Sequence, residues 1–164
     1  MWLTDSFLDY LQYERNYSEE TIKSYREDLR QFEEFARGEI GDSAPSEVKA
    51  ELVREWIVSL MDRGYTSTSI NRKLSSLRSF YKFLLRKGEV AVNPLQKITG
   101  PKNKKPLPAF LRESDMDRLL DEVDFGEGFK GCRDHMIIEM FYATGVRLSE
   151  LIGLDNKDVD ISSS

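Results

Sequence analysis

With 164 residues, 40% of them hydrophobic and 32% charged, the chain can bury one good core or two small ones and is too apolar for a disordered segment. A single cysteine, Cys132, permits no internal disulfide and no cysteine-based metal site, and a single histidine, His135, permits no histidine cluster. No apolar run approaches the roughly 20 residues of a membrane span, and Met1 to Asp9 lacks the regions of a signal peptide, which predicts a cytoplasmic protein with no membrane partner.

Thr4 or Asp5 is placed to cap a first helix, with Phe7, Leu8 and Leu11 on one face and Asn16 at its end. Ser18, with Glu20 and Thr21, opens a second helix whose inner face is Ile22, Tyr25, Leu29, Phe32 and Phe35 and which ends at Gly38. Its outer face carries Lys23, Arg26, Arg30 and Arg37 among Glu19 and Glu34. Intrahelical ion pairing and contact with a polyanion both fit that mixture. After a loop from Gly41 to Ser46, a third helix is marked by Val48, Leu52, Trp56, Ile57 and Leu60, and Gly64 stops it. Trp2, Trp56 and most of the phenylalanines fall on the periodic apolar faces and read as core.

The fourth helix, Thr66 to Lys87, lies in a stretch that differs in charge from the rest of the chain. Arg63 to Lys105 holds eleven Lys and Arg against one acid, net +10, whereas the residues before it sum to −8 and those after it to −7. Such segregation favours a polyanionic partner at one surface of an acidic protein. Ile70, Leu74, Leu77, Tyr81 and Leu84 form the helix's buried stripe, Thr66 to Ser69 offer cap oxygens, and Gly88 sits where a C-terminal glycine belongs. The opposite face holds Arg72, Ser75, Ser79, Lys82 and Arg86 with no acid among them. Two serines leave little bulk between the cations, so a phosphate chain can approach the backbone while the longer side chains reach its oxygens.

Asn93-Pro94 ends the bundle, and Pro101, Pro106 and Pro108 predict an extended connector, residues 93–109, between units 1–92 and 110–164. Lys102, Lys104 and Lys105 ride on it, either to cross a nucleic-acid backbone or simply to keep the connector solvated. Ser114 is then a candidate cap for a helix bearing Met116, Leu119, Leu120 and Val123. Gly126, Gly128 and Gly131 read as a loose turn, and Met136 to Ala143 as a helix buried on most sides and ended by Gly145. Cys132 reads as a small core residue and His135, at a helix boundary, as structural or solvated. Arg147 falls in the first turn of a short helix, where a cation is disfavoured unless an anion joins it. A phosphate or carboxylate pocket with Glu150 orienting the arginine, and a merely structural Arg147–Glu150 pair, both follow from that spacing.

The run Tyr142-Ala143-Thr144-Gly145-Val146-Arg147-Leu148-Ser149-Glu150-Leu151, followed by Leu154 and Asp158-Val159-Asp160-Ile161, resembles the first catalytic box of the tyrosine recombinase (phage integrase) family, in its Xer branch. Ser18 to Phe32 resembles the family's second helix and Ile70 to Tyr81 its fourth. Asn93-Pro94 with Leu107-Pro108 resembles its interdomain connector, so the similarity spans essentially the whole chain.

The resemblance implies an all-α architecture: a four-helix, SAM-like core-binding bundle, a proline-containing linker and the first helices of a catalytic domain. It also implies a clamp on double-stranded DNA that cuts without metal, through a 3′-phosphotyrosyl intermediate. Arg147 matches the first arginine that stabilises the phosphoryl oxygens, with Glu150 in support. Lys23, Arg26, Arg72, Ser75, Ser79, Lys82, Arg86, Lys102, Lys104 and Lys105 are the expected DNA-binding residues. The family's lysine, His-x-x-Arg box and nucleophilic tyrosine belong after Arg147 and are not found by Ser164, and Val159 to Ile161 reads as the start of a strand. The chain therefore reads as the N-terminal half of a recombinase with a truncated catalytic portion, binding DNA but cutting nothing. Tetramers on two DNA sites are implied for the whole protein, and a monomer for this portion. A stand-alone integrase-derived DNA-binding module and a helical adaptor for an acidic protein remain the alternatives.

Overall fold

In the computed structural model, which describes residues 2–42, 44–103 and 110–159, all regular elements among the described residues are helical. The chain divides into two compact units, residues 1–105 and 106–164.

The first unit is a bundle of α1 (Thr4–Asp9), α2 (Glu19–Ile40), α3 (Ala50–Asp62) and α4 (Ser67–Lys87). Helix α1 continues into a π-helical turn, Tyr10–Glu14, and the chain reverses at Asn16, whose φ of 52° is left-handed. Ser18 caps α2 as its sequence predicts, accepting the Thr21 N–H at 3.3 Å. Thr66 does the same for α4 through the Ser69 N–H at 3.2 Å, and Gly88, with φ 76°, closes that helix in the left-handed conformation that glycine adopts without strain. Three boundaries differ from the sequence reading. Thr4 lies inside α1, with Leu3 in the cap position. Helix α2 runs past Gly38 to Ile40 and stops at Gly41, φ 72°. Val48 precedes α3, at the end of a 3-10 turn, Pro45–Glu47.

Helix α4 is the axis of the bundle and packs on α1, α2 and α3. Its buried side is wider than one stripe. Phe80 and Phe83 join Ile70, Leu74, Leu77, Tyr81 and Leu84 in the core. Trp2 stacks on Phe80 at 6.0 Å, Phe7 meets Phe80 edge-on at 5.5 Å, and Phe32 meets Trp56 at 4.9 Å. Such pairs contribute about 0.5–1.5 kcal/mol each beyond the area they bury.

The connector does not begin as an extended segment. Asn93 Oδ1 accepts the Leu95 N–H at 2.9 Å, a turn that drives Leu95 and Ile98 into the core of the bundle. Arg78 then donates to the Ile98 carbonyl at 2.7 Å and Asn71 to the Pro101 carbonyl at 2.8 Å. The prolines forbid regular hydrogen bonding there, but side chains of α4 supply the partners instead.

In the second unit, α5 (Glu113–Glu122) packs on α6 (Gly128–Thr144), and a short α7 (Leu148–Ile152) follows. Arg112, not Ser114, takes the cap position of α5, and Val123 lies past its end and is exposed. The expected glycine turn is largely the first turns of α6. Glycine is needed at 131, because a Cβ there would fall 1.9 Å from the Gly126 carbonyl oxygen. His135 lies within α6, not at its boundary, with Nε2 3.3 Å from the Leu120 carbonyl oxygen and its ring edge-on to Phe125. Two burial expectations fail. Cys132 is exposed, and Met136 and Tyr142 of α6 are about half exposed, because among the described residues α5 alone packs on this helix. Val159 is extended, while Asp160 and Ile161 lie outside the described residues.

Tyr81 links core and loop: its buried O–H donates to the Pro45 carbonyl at 3.1 Å, and burial pushes the phenol above its ordinary range. A raised folded value means that this contribution is whole below the unfolded value of about 10 and is lost as pH rises beyond it. Tyr81→Phe is therefore expected to cost about 1–2 kcal/mol at neutral pH in denaturant unfolding. It should also flatten the loss of stability above pH of about 10.

Candidate nucleic-acid interface

Helix α4 turns its core side inward and leaves Arg72, Ser75, Lys82 and Arg86 exposed and Ser79 half-buried, so the predicted face is one surface. Its members are not equivalent. Arg72 is held by both terminal nitrogens against the Asp28 carboxylate, at 2.6 and 2.8 Å, and its side chain stays half exposed. Asp28 itself is 1% exposed and also accepts from Lys73 Nζ at 3.0 Å and Ser76 Oγ at 2.8 Å. Lys73 is 3% exposed, bonds Gln31 Oε1 at 2.7 Å and lies over the Tyr65 ring. One buried carboxylate thus joins two cations from α4 to α2, and a base counted in the electropositive stretch belongs to the interior.

Further along the face, Lys82 and Ser79 have no polar partner among the described residues, and Arg86 lies 4.8 Å above the Tyr10 ring. Stacking leaves guanidinium N–H groups free in a way that a carboxylate partner would not. Ser75 donates back to the Asn71 carbonyl at 3.0 Å and keeps its lone pairs outward. The face is therefore cationic where its side chains are long and low where they are short.

The α2 cations are arranged differently. Lys23 pairs with Glu20 at 2.8 Å, and this hydrogen bond raises the lysine's pKa. Arg26 bridges to Asp5 of α1 at 3.0 Å, Arg30 binds Glu27 and Glu34, and Arg37 binds Glu33. Hydrogen bonds from Arg30 and then Gln31 hold the Glu27 carboxyl down at about 2. Ion pairing within the bundle, the plainer of the two readings of that face, is the observed state. Exposed pairs of this kind contribute little and exchange readily for another anion. Lys102 is exposed with no polar partner among the described residues, and Lys104 and Lys105 lie outside them.

In the second unit, Arg147 occupies the cap position of α7, one residue before the predicted first turn. Its N–H donates to Glu150 Oε2 at 2.8 Å and its Nη1 to Oε1 at 2.9 Å, so the Arg147–Glu150 pair is present while the guanidinium remains largely exposed. Among the described residues no group of three or more His, Cys, Asp or Glu is placed to hold a metal ion, and no helix is long and apolar enough to cross a membrane.

The buried network is the feature that sequence reasoning missed. Its signal is present, since Asp28 keeps the spacing of Tyr25 and Phe32, and Lys73 that of Ile70 and Leu77. Opposite charges within the apolar stripes of two helices mark a buried pair.

Two family models divide the chain between them. Phage integrase, N-terminal SAM-like domain, matches residues 4–88, and the phage integrase family matches residues 109–164. The chain belongs to the phage integrase family. This phage integrase family chain is 41% identical over 158 residues to tyrosine recombinase XerC of Oceanobacillus iheyensis, covering 96% of the chain and 51% of that protein. It is 38% identical over 161 residues to tyrosine recombinase XerC of Staphylococcus carnosus, covering 98% and 53%. It therefore spans about half the length of these curated relatives and corresponds to their N-terminal half. Among solved structures, the Tn1549 transposon integrase in complex with a circular intermediate DNA matches with a TM-score of 0.72 at 21% identity, over 98% of this chain and 50% of that one. At that identity the match shows the fold. The helical bundle is the integrase SAM-like domain, and the resemblance borne by the Arg147 box and α4 is borne out at the level of the family.

Removal of the Asp28 carboxylate strands Arg72 and Lys73. Asp28→Ala is expected to cost about 3–5 kcal/mol in denaturant unfolding, and replacement of the whole network by apolar residues much less. Glu27 gives a pH prediction. Its depressed folded pKa makes its contribution whole above the unfolded value of about 4.5 and lost as pH falls towards about 2. In Arg30→Gln, NMR titration of Glu27 should show its midpoint moving up towards the ordinary carboxylate value.

Proposed function

We propose that this chain is the double-stranded-DNA-binding, N-terminal part of a site-specific tyrosine recombinase of the Xer type. The observation that carries the reading is the outer face of α4, where Lys82 and Arg86 have no carboxylate partner and Ser75 and Ser79 keep the surface low between cations. Phosphate oxygens fit that relief, with the small residues admitting the backbone and the long ones gripping it. Arg72 contributes through the edge of its guanidinium that Asp28 leaves free, and the salt-bridged Lys23 and Arg26 exchange their carboxylates for phosphates at the margin. Lys102, Lys104 and Lys105 add charge along the connector between a core-binding unit, residues 1–92, and the start of a catalytic one, residues 110–164.

The relatives support the wider reading: the two XerC proteins are tyrosine recombinases, and the Tn1549 integrase was solved with DNA. In the whole protein, a tyrosine hydroxyl attacks the scissile phosphate, a 5′-hydroxyl leaves, and the phosphodiester is stored as a 3′-phosphotyrosyl bond without ATP, metal or other cofactor. Arg147, oriented by Glu150, stabilises the charge that gathers on the non-bridging oxygens. That role would be performed in the cytoplasm, by protomers assembled as a tetramer on two DNA sites, in chromosome dimer resolution or the integration of a mobile element. These 164 residues bind DNA as a monomer.

Equilibrium binding of the chain to a DNA duplex over a range of salt, beside the Lys82→Glu, Arg86→Glu variant, tests the reading. Arg72 is left intact, because a glutamate there would face the buried Asp28. The wild type is expected to lose affinity with a log–log slope of about −0.9 per phosphate contacted, and the variant to lose most binding while keeping its helical circular dichroism. A wild type that does not bind, or a variant that binds as well, would overturn the assignment and favour an acidic protein as partner.

A further inference from the structure

We propose that Arg15, at the end of the π-helical turn, completes a phosphate-binding groove with Lys82 and Arg86 of α4, a subsite of the DNA surface proposed above on which this inference rests. The groove is about 510 Å³ and runs between the end of the first helix and α4, lined by Tyr10, Arg15, Tyr17, Ser79, Lys82 and Arg86, with the buried Phe7 and Leu11 beneath. Three of its lining residues are cations and none is an acid. Neither Arg15 nor Lys82 has a polar side-chain partner among the described residues, and Arg86 is fixed by the Tyr10 ring.

The local backbone explains why Arg15 is there. Residues 10–14 form a π turn, which accommodates one residue more than an α-turn, and Arg15 donates its N–H to the Tyr10 carbonyl at 3.2 Å. Asn16 then reverses the chain, and the Tyr17 N–H returns to the Leu11 carbonyl at 3.1 Å. This closure anchors the residues on both sides of Arg15 to the helix end. The side chain of Arg15 is held at its base and free at its tip. π turns are uncommon and concentrate at functional sites, in keeping with a distortion retained for what it positions.

Three cations around a low serine suit a phosphodiester backbone, which carries charge along its length, better than a single carboxylate ligand, which one guanidinium would satisfy. Arg15 lies far in sequence from the electropositive stretch, between Glu14 and Glu19, so its charge is masked in any count along the chain. Only the fold brings it beside Lys82.

The test compares the wild type, Arg15→Gln and Arg15→Lys in duplex binding at several salt concentrations, on two duplexes of unrelated sequence. Arg15→Gln is expected to bind about three- to tenfold more weakly on both and to lower the magnitude of the salt slope by about 0.9, while Arg15→Lys restores the slope. Unchanged affinity and slope in Arg15→Gln, with the wild type binding and Lys82→Glu, Arg86→Glu not binding, would overturn the groove and leave the wider DNA reading standing. A loss confined to one sequence would overturn the phosphate assignment in favour of a base contact. Absence of binding by the wild type would overturn both.

Discussion

A carboxylate at 1% exposure that accepts four hydrogen bonds sets the geometry on which this surface depends. Burial of a lone Asp28 charge would cost several kcal/mol, and Arg72, Lys73, Ser76 and the helix pair α2 and α4 are the means by which that cost is offset. Because the partners are directional, they tolerate little rotation or sliding of α4 against α2. Apolar packing alone would be more permissive, since a stripe of leucines can shift by part of a turn and still be covered. The network therefore fixes which residues of α4 face outward, and so which side chains meet a ligand.

Much of the bundle was legible in the sequence because it rests on local chemistry. Ser18 and Thr66 cap where hydroxyls can reach an N–H three residues on, Gly88 terminates where a left-handed residue is needed, and the apolar stripe of α4 is buried as its period predicts. The main failure has its cause in tertiary contact: Leu95 and Ile98 are drawn into the core although prolines flank them. Gly38, in contrast, lies in an exposed last turn of α2 that ends at Gly41. The candidate site was half legible. Its cations could be named by phase, but whether Arg72 and Arg26 were free or paired depended on Asp28 and Asp5, which lie elsewhere in the chain.

The two units differ in how fully their apolar residues are covered. In the bundle, aromatic and aliphatic side chains of α1, α2 and α3 close around α4. In the second unit, Phe129, Leu148 and Ile152 are 81%, 63% and 76% exposed. Periodicity identified those helices correctly but predicted burial for α6 that the described residues do not provide, because an apolar helix records what its neighbours should be without supplying them.

Arg72 and Arg86 are held by two contacts that salt hardly weakens, one to a buried carboxylate and one to an aromatic ring. Attraction between an exposed cation and a phosphate, in contrast, falls steeply with ionic strength. Order and affinity at this surface are therefore governed by separate forces. On the proposed reading, raising the salt would empty the face without disarranging it, and a nucleic acid returning at lower ionic strength would meet side chains already in position, with little entropy left to lose.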